Sequence, residues 1–196
     1  MKNPPKLKQK LEVKRYHGIE IKDEYSWIHQ KNILEVLKDS SKLNPEVKKY
    51  LEEENAYTKF NMKDTEQSQK KLFKEIKGRI KLDDESLHFF HNKEGWEYWT
   101  KTTANNNYPI QLRKKIGDNK DKAQEIWNGD KEKKKLNASY FGVGDLSVSH
   151  DHSLLGYSLD LNGSEFYTIY IRRITDEKII DQKIENTSGG ITFSKD

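Results

Sequence analysis

Serine, histidine and carboxylate side chains are the groups in this chain that could do chemistry, and their spacing decides whether they do. A nucleophilic serine on a strand-to-helix turn needs the segment Gly-x-Ser-x-Gly, which holds the hydroxyl exposed. The sequence contains no such segment. Ser164 directly follows Gly163, and this pair fits a hairpin turn in which glycine supplies a positive φ. We interpret Ser164 as a turn residue and not as a nucleophile.

His150, Asp151 and His152 form the densest group of titratable side chains. A catalytic triad needs a base oriented by one residue and facing another, whereas the side chains of immediate neighbours diverge. We expect Asp151 to accept hydrogen bonds from turn amides. A metal site formed by His150, His152 and Asp160 is the alternative. His88 and His91 would lie on opposite faces of a strand, which is a poor ligand spacing.

Acidic and aromatic clusters allow two binding hypotheses. Asp83, Asp84 and Glu85 could attract the basic end of a peptide, but a cap or hinge between two domains is the interpretation we prefer. Three tryptophans could stack a ligand, although rings of this size usually pack in cores: Trp96, Trp99 and Trp127. The residues therefore predict no catalytic, cofactor-binding or metal site in this chain.

Composition narrows the class of protein. The chain is 33% hydrophobic and its mean hydropathy is −1.06, so it has few core-forming residues for its length. Either much of the chain is solvated or part of its core lies elsewhere. The 36 basic and 32 acidic side chains give a net charge of +4 that is spread along the chain, which does not favour a nucleic-acid partner. Because cysteine is absent, disulfides and cysteine-based sites are excluded.

The sequence also bears on whether a signal peptide or a transmembrane segment is present. The segment MKNPPKLKQKLEVKRYHG lacks the apolar run of a signal peptide, and no stretch approaches transmembrane length. We therefore expect a cytoplasmic protein that makes no membrane contact.

Two amphipathic helices in series are the elements that the first half of the chain specifies most clearly. Asn44 is expected to cap a helix that starts at Pro45, and a second helix is expected to end at Gly78. Apolar residues recur at helical spacing at Val47, Tyr50, Leu51, Tyr57, Phe60, Leu72, Phe73 and Ile76. A short helix is predicted over 32–38, after an extended arm over 1–15 and a turn at Gly18. Because isolated helices are marginal, these faces need a partner surface.

From Ser86 onward the apolar period changes to two, which predicts strands and a boundary near Asp83 and Asp84. The predicted strands cover 96–102, 108–114, 125–127, 144–149, 153–161, 165–173 and 178–184. The lysine-rich run at 131–135 is interpreted as a solvated loop, with a nucleic-acid patch as the alternative. Four short strands in about 40 residues match a propeller blade. The prediction is an α+β chain with a helical extension over 1–84 and an incomplete β-propeller over 85–196, comprising about two four-stranded antiparallel blades and the start of a third.

Several segments, in order, resemble one family. They are HG at 17–18, DEYSWI at 23–28, PEVKKYLEEENAYT at 45–58, LFKEIKGRIKLDDES at 72–86, SVSHDHSLLGYSLDLNGSEFYTIYIRRI at 147–174 and NTSGGITFSKD at 186–196. They resemble the N-terminal part of the prolyl oligopeptidase family of serine peptidases, in particular its oligopeptidase B (protease II) branch. The chain departs from the family pattern at Ile28-His29-Gln30, where the family has Leu-Arg-Asp, at His150, where it has Pro, and at Phe193, where it has Trp.

The resemblance implies that the helices belong to an extension packed beside an α/β-hydrolase domain, and that the strands begin a seven-bladed propeller that limits substrates to short peptides. In that family the catalytic Ser, Asp and His lie on the hydrolase domain, and substrates are cleaved after Lys or Arg. The expected partners are thus a possibly separate hydrolase domain and short basic peptides, and the chain is expected to be inactive alone. The alternative is a truncated, non-catalytic remnant that at most binds peptides or proteins weakly.

Overall fold

Residues 3–90 and 95–195 are described by the computed structural model of the protein, in which the chain divides into two units, Met1–Ile80 and Lys81–Asp196. The first unit begins with a hairpin of β1 (Glu12–Tyr16) and β2 (Ile19–Asp23), paired antiparallel with Tyr16 opposite Ile19. Its turn uses His17 and Gly18, both at positive φ. The extended arm expected over 1–15 therefore ends in a strand.

Three α-helices complete the first unit: α1 (Ile33–Lys38), α2 (Pro45–Asn61) and α3 (Glu66–Gly78). The Asn44 side chain accepts hydrogen bonds from the amides of Glu46, at 2.8 Å, and Val47, at 3.4 Å, which caps α2 as predicted. Gly78 is the last residue of α3. Among the described residues, no helix is long and apolar enough to span a membrane.

The second unit begins with an antiparallel sheet, here called the first sheet. Its strands are β3 (Asp84–Glu85), β4 (Phe89–Phe90), β5 (Trp96–Thr102), β6 (Ile110–Lys115) and β7 (Gln124–Asn128). Both β3 and β4 pair with β5, so they share one edge of the sheet, and β5, β6 and β7 follow in chain order. The predicted hairpin is present, with Trp99 opposite Leu112.

The lysine-rich run is a helix, which corrects the loop predicted over 131–135. Helix α4 (Gly129–Leu136) begins where the Asn128 side chain accepts a hydrogen bond from the amide of Lys131. Acidic residues in its first turn and lysines in its last turn complement the helix dipole. The helix ends at Asn137, which is left-handed at φ 50°. The run looked like a loop because it carries no apolar period of its own.

The second sheet follows as a meander of β8 (Gly142–Val148), β9 (Leu154–Asp160), β10 (Tyr167–Arg173) and β11 (Ile179–Thr187), in that order. Each strand runs antiparallel to its neighbour. Helices in the first unit and sheets in the second are consistent with the α+β class predicted from the sequence.

The core of the second unit lies between the two sheets. Its buried members come from both: Tyr98, Ile126, Trp127, Phe141, Leu155, Tyr157 and Leu159. Leu155, Tyr157 and Leu159 alternate along β9, as one face of a strand should. Trp127 lies 4.7 Å from Tyr157, between ring centroids. Trp99 and Trp127 are buried and Trp96 is half-buried, so the preference for packing over ligand stacking is confirmed for the two buried rings.

Candidate functional site

The turn between β8 and β9 holds the histidine and aspartate group singled out from the sequence. The Asp151 carboxylate accepts hydrogen bonds from the Ser149 hydroxyl, at 2.6 Å, the Ser153 hydroxyl, at 2.7 Å, and the Ser153 amide, at 3.1 Å. These hydrogen bonds, with the Ser149 hydroxyl first, lower the pKa of Asp151 to about 2. Asp151 therefore serves as the predicted turn acceptor.

His152 points into the space between the sheets. It is 5% exposed and has a positive φ, and its Nδ1 lies 2.7 Å from the Tyr98 hydroxyl. The Arg113 guanidinium donates to the His152 carbonyl at 2.6 Å. Burial raises the pKa of Tyr98, and Arg113 partly opposes that shift. The structure thus gives His152 a place in a buried network, and Asp160 lies in a separate turn.

Asp160 and Ser164 belong to the turn between β9 and β10. The Asp160 carboxylate accepts hydrogen bonds from the amides of Asn162, Gly163 and Glu165 at 2.8–3.0 Å. Burial alone would raise the pKa of Asp160, but the amide hydrogen bonds outweigh it, so that pKa is lowered. Ser164 is 2% exposed and its hydroxyl accepts from the amide of Phe166. Gly163 has the positive φ expected of it.

The acidic cluster at the start of the second unit is paired with lysines and with backbone. Asp83 accepts a hydrogen bond from the amide of Ala104 at 3.0 Å, and Asp84 forms an ion pair with Lys81 at 2.6 Å. Glu85 pairs with Lys120. An open cavity of about 470 Å³ lies here, lined by Lys81, Asp83, Asp84, Glu85, Lys101 and Thr102. Because both signs of charge line it, the cluster has no clear preference for a basic peptide.

Sequence reasoning missed a charged group on the other face of β5. Glu97 receives hydrogen bonds from Lys114 and is 2.9 Å from Nδ1 of His88. The His88 ring stacks on Trp99 with centroids 4.3 Å apart. Hydrogen bonds from Lys114 and then His88 lower the pKa of Glu97. Alternation along β5 and β6 puts Glu97 and Lys114 on one face, which a hairpin register could have indicated. His91 lies outside the described residues.

A buried ion pair was also missed. The Arg172 guanidinium donates to Glu132 Oε1 at 2.6 Å and to the Ile126 carbonyl at 2.7 Å. Arg172 is 3% exposed and Glu132 is 8% exposed. Burial, and then the nearby Glu132 carboxylate, raise the pKa of Tyr157 to about 12. No signal in the sequence links positions 40 residues apart, one in a lysine-rich run and one in a strand.

Apolar side chains of α2 and α3 remain accessible. Leu72, Phe73 and Ile76 on α3 are 54%, 68% and 60% exposed. Phe60 on α2 is 48% exposed, while Tyr50 and Tyr57 are half-buried. The exposed side chains of α3 lie close together in its sequence, and a cluster of exposed apolar residues is typical of an interaction surface.

Comparison with known proteins shows which family this sequence matches. Residues 4–196 match the family model for the prolyl oligopeptidase N-terminal β-propeller domain. The chain is 32% identical over 206 aligned residues to a dipeptidyl aminopeptidase BI from Pseudoxanthomonas mexicana, covering 98% of this chain and 27% of that protein. It is 24% identical to a protease 2 from Moraxella lacunata, covering 87% of this chain and 23% of that protein.

Solved structures share the fold. Oligopeptidase B from Leishmania major superposes with a TM-score of 0.79 at 20% identity, covering 97% of this chain and 27% of that one. Oligopeptidase B from Trypanosoma brucei, with covalently bound antipain in a closed form, gives 0.78 at 19% identity, covering 99% and 28%. The chain thus spans about a quarter of the length of the relatives it matches.

Proposed function

The chain belongs to the prolyl oligopeptidase family through its N-terminal β-propeller domain, and we propose that it is the amino-terminal part of a serine peptidase that cleaves short peptides after Lys or Arg. The observation that carries the proposal is the family match over residues 4–196, together with coverage of about a quarter of the peptidase relatives. The chemistry would be acyl transfer by a Ser, Asp and His triad on an α/β-hydrolase domain outside this sequence.

Each of the two domains predicted from the sequence has its own part in this proposal. Residues 1–84 form an extension that docks on the hydrolase domain, and residues 85–196 form the first two blades of the propeller and the start of a third. Two successive antiparallel sheets with a shared core support the blade assignment. The second sheet has four strands, and the first has β5, β6 and β7 with β3 and β4 together on one edge. The exposed apolar face of α3 supports the docking role, because such a face buried against a partner would stabilise the complex.

The chain itself supplies no catalytic, cofactor or metal residue on this proposal. Asp151, Asp160 and Ser164 each bond to turn groups, and His152 contacts Tyr98 inside the core. The propeller part would restrict access by size, so that short peptides reach the triad. The preference for Lys or Arg rests on the resemblance to oligopeptidase B. An evenly spread charge supports a role without nucleic acid, and we propose a cytoplasmic location.

A two-chain assay tests the proposal. This chain is incubated alone, and with the hydrolase domain of the protease 2 relative, and hydrolysis of an arginine p-nitroanilide dipeptide is followed. We expect no turnover by this chain alone and an increase over the hydrolase domain alone when the two are mixed. Turnover by this chain alone would overturn the assignment of catalysis to the other domain. A mixture no faster than the hydrolase domain alone would overturn the docking role.

The second candidate, a non-catalytic remnant, is favoured by one observation: large apolar residues are exposed in both units, among them Phe73 and Ile184, at 68% and 55%. A remnant would expose these faces permanently and would aggregate or lose its fixed packing. Light scattering and thermal melting of the isolated chain test the remnant. A monodisperse monomer with a cooperative melt would contradict the remnant.

A further inference from the structure

Two arginines cross the core between the sheets in opposite directions. Arg113, on β6 of the first sheet, donates to the carbonyl of His152, which lies in a turn of the second sheet. Arg172, on β10 of the second sheet, donates to the carbonyl of Ile126, which lies on β7 of the first sheet. Each sheet therefore donates one guanidinium hydrogen bond to a backbone carbonyl of the other sheet, and both arginines are 3% exposed.

Each guanidinium group also lies over an aromatic ring of the first sheet. Arg113 lies 4.0 Å from the centroid of Trp96, and Arg172 lies 5.4 Å from the centroid of Trp127. Arg172 also lies 5.5 Å from the Tyr157 ring, and its charge is balanced by Glu132 on α4. Stacking of this kind is stronger for a desolvated cation than for an exposed one.

Separating the sheets would break both hydrogen bonds from arginine to carbonyl at once. A guanidinium cannot lose its proton, so Arg172 would keep its charge while losing the Ile126 carbonyl and the Trp127 ring, both of the first sheet. Separation would also expose to water the apolar rings and leucines that both sheets contribute to the core.

We propose that Arg113 and Arg172 are reciprocal clamps that lock the two sheets into one rigid body. The sheets then neither hinge nor separate unless the whole second unit unfolds. The clamp does not depend on the proposed function. A further consequence does rest on that function: in a peptidase carrying this unit, any opening that admits substrate takes place away from the contact between these two sheets.

Hydrogen exchange on the full chain tests the clamp directly. Amides of β7 and of β9 are compared, because these strands face each other across the core. If the sheets form one body, both sets exchange with the same free energy of opening and with the same dependence on denaturant. A second sheet that opens at lower free energy than the first would overturn the proposal. This measurement needs no variant and no peptidase activity, so its failure is distinct from failure of the proposed function.

Variants add a second readout. In Arg172→Met we expect exchange in β7 and β9 to accelerate about 100-fold or more, since breaking one partner of a buried pair is strongly destabilising. Arg173→Met is the matched control, because Arg173 is the next residue and is half exposed, with an ion pair to Asp176. We expect it to change exchange only slightly. Equal exchange rates in the two variants would overturn the role of Arg172.

Arg113 is tested by the double variant, Arg113→Met with Arg172→Met. If it folds, the proposal requires β7 and β9 to exchange at different rates, because the two sheets are then free to separate. Coincident exchange in a folded double variant, at the rate of Arg172→Met alone, would show that Arg113 clamps nothing. If the double variant does not fold, Arg113→Met alone is compared with the unmodified chain, and unchanged exchange in the turn at 149–153 and in β7 would overturn its role.

Discussion

Asp151 is a carboxylate whose surroundings hold it ionised. Two serine hydroxyls and one amide donate to it, and its pKa falls to about 2. A group with a lowered folded-state pKa stabilises the fold above its unfolded pKa, near 3.8, and loses that contribution as the pH falls through about 2. We therefore expect Asp151→Ala to lower the stability of the second unit at pH 7, and the difference from the unmodified chain to shrink toward pH 2.

Urea unfolding at pH 7, 4 and 2 checks this dependence. Asp121→Ala is the control, because Asp121 lies in an exposed turn, and its effect should be small at each pH. An Asp151→Ala effect that does not vary with pH would show that the hydrogen bonds to the carboxylate are not its source.

Gly144 is a position where packing forbids a side chain. An added Cβ would lie 2.6 Å from the Ser158 hydroxyl and 2.8 Å from the Tyr167 ring. We expect Gly144→Ala to destabilise the second unit by about 1–3 kcal/mol, as overpacking does. At Gly190 a Cβ would meet nothing within 4 Å, so Gly190→Ala should be nearly neutral. Thermal melts compare the two, and equal losses would refute the packing argument.

The roles of single residues were predictable where their partners are close in sequence. Asp151 and Gly163 act within their own turns, and turn chemistry is local. Arg172, Arg113 and His88 were not identified, because their partners lie 40, 39 and 9 positions away. Arg113 and Arg172 reach their partners only through the packing of one sheet on the other, and His88 reaches Glu97 through the pairing of an edge strand; neither arrangement has a local signal in the sequence.

At the scale of elements, the N-terminus of α2 has a clear cause. The Asn44 side chain bonds two amides of the first turn. We expect Asn44→Ala to lower the stability of this helix by about 1 kcal/mol. Asn55→Ala, in the exposed middle of α2, replaces a poor helix former with a good one and should raise helicity slightly. Circular dichroism during urea unfolding measures both, and a loss at Asn55 as large as at Asn44 would exclude capping as the cause.

The exposed face of α3 gives a prediction that separates folding from docking. Because Phe73 is 68% exposed, Phe73→Ser should change the free energy of unfolding by no more than about 0.5 kcal/mol. If this face docks on the hydrolase domain, the same change should weaken association with that domain. Lys74→Ser, one residue further, is the control. Calorimetric titration measures association, and equal affinities for the two variants would place the docking surface elsewhere.

Two strands, β5 at 96–102 and β9, were predicted to within a few residues, because their large apolar residues recur at every second position, as Leu155, Tyr157 and Leu159 do. Helix α4 was not predicted, because its eight residues are mostly lysine and acid. It forms where Asn128 caps it and Glu132 anchors it to Arg172, which are tertiary interactions. The sequence pattern shows the polar surface of such a helix but not its anchor.

At the scale of the whole molecule, the family was accessible from the sequence because the matching segments run in order over most of the chain, and the family match over 4–196 confirms it. The number of blades, the docking of the extension and the peptide specificity are proposals, because they concern segments of the relatives that lie outside the 27% of their length that this chain covers.

A chimera tests the central claim most directly. The segment of the dipeptidyl aminopeptidase BI relative that aligns with 98% of this chain is replaced by this chain, and peptide hydrolysis is measured. The claim predicts a folded chimera with turnover that an active-site serine reagent abolishes. A chimera that cannot fold, or that folds as a monodisperse protein and does not hydrolyse peptides, would contradict it.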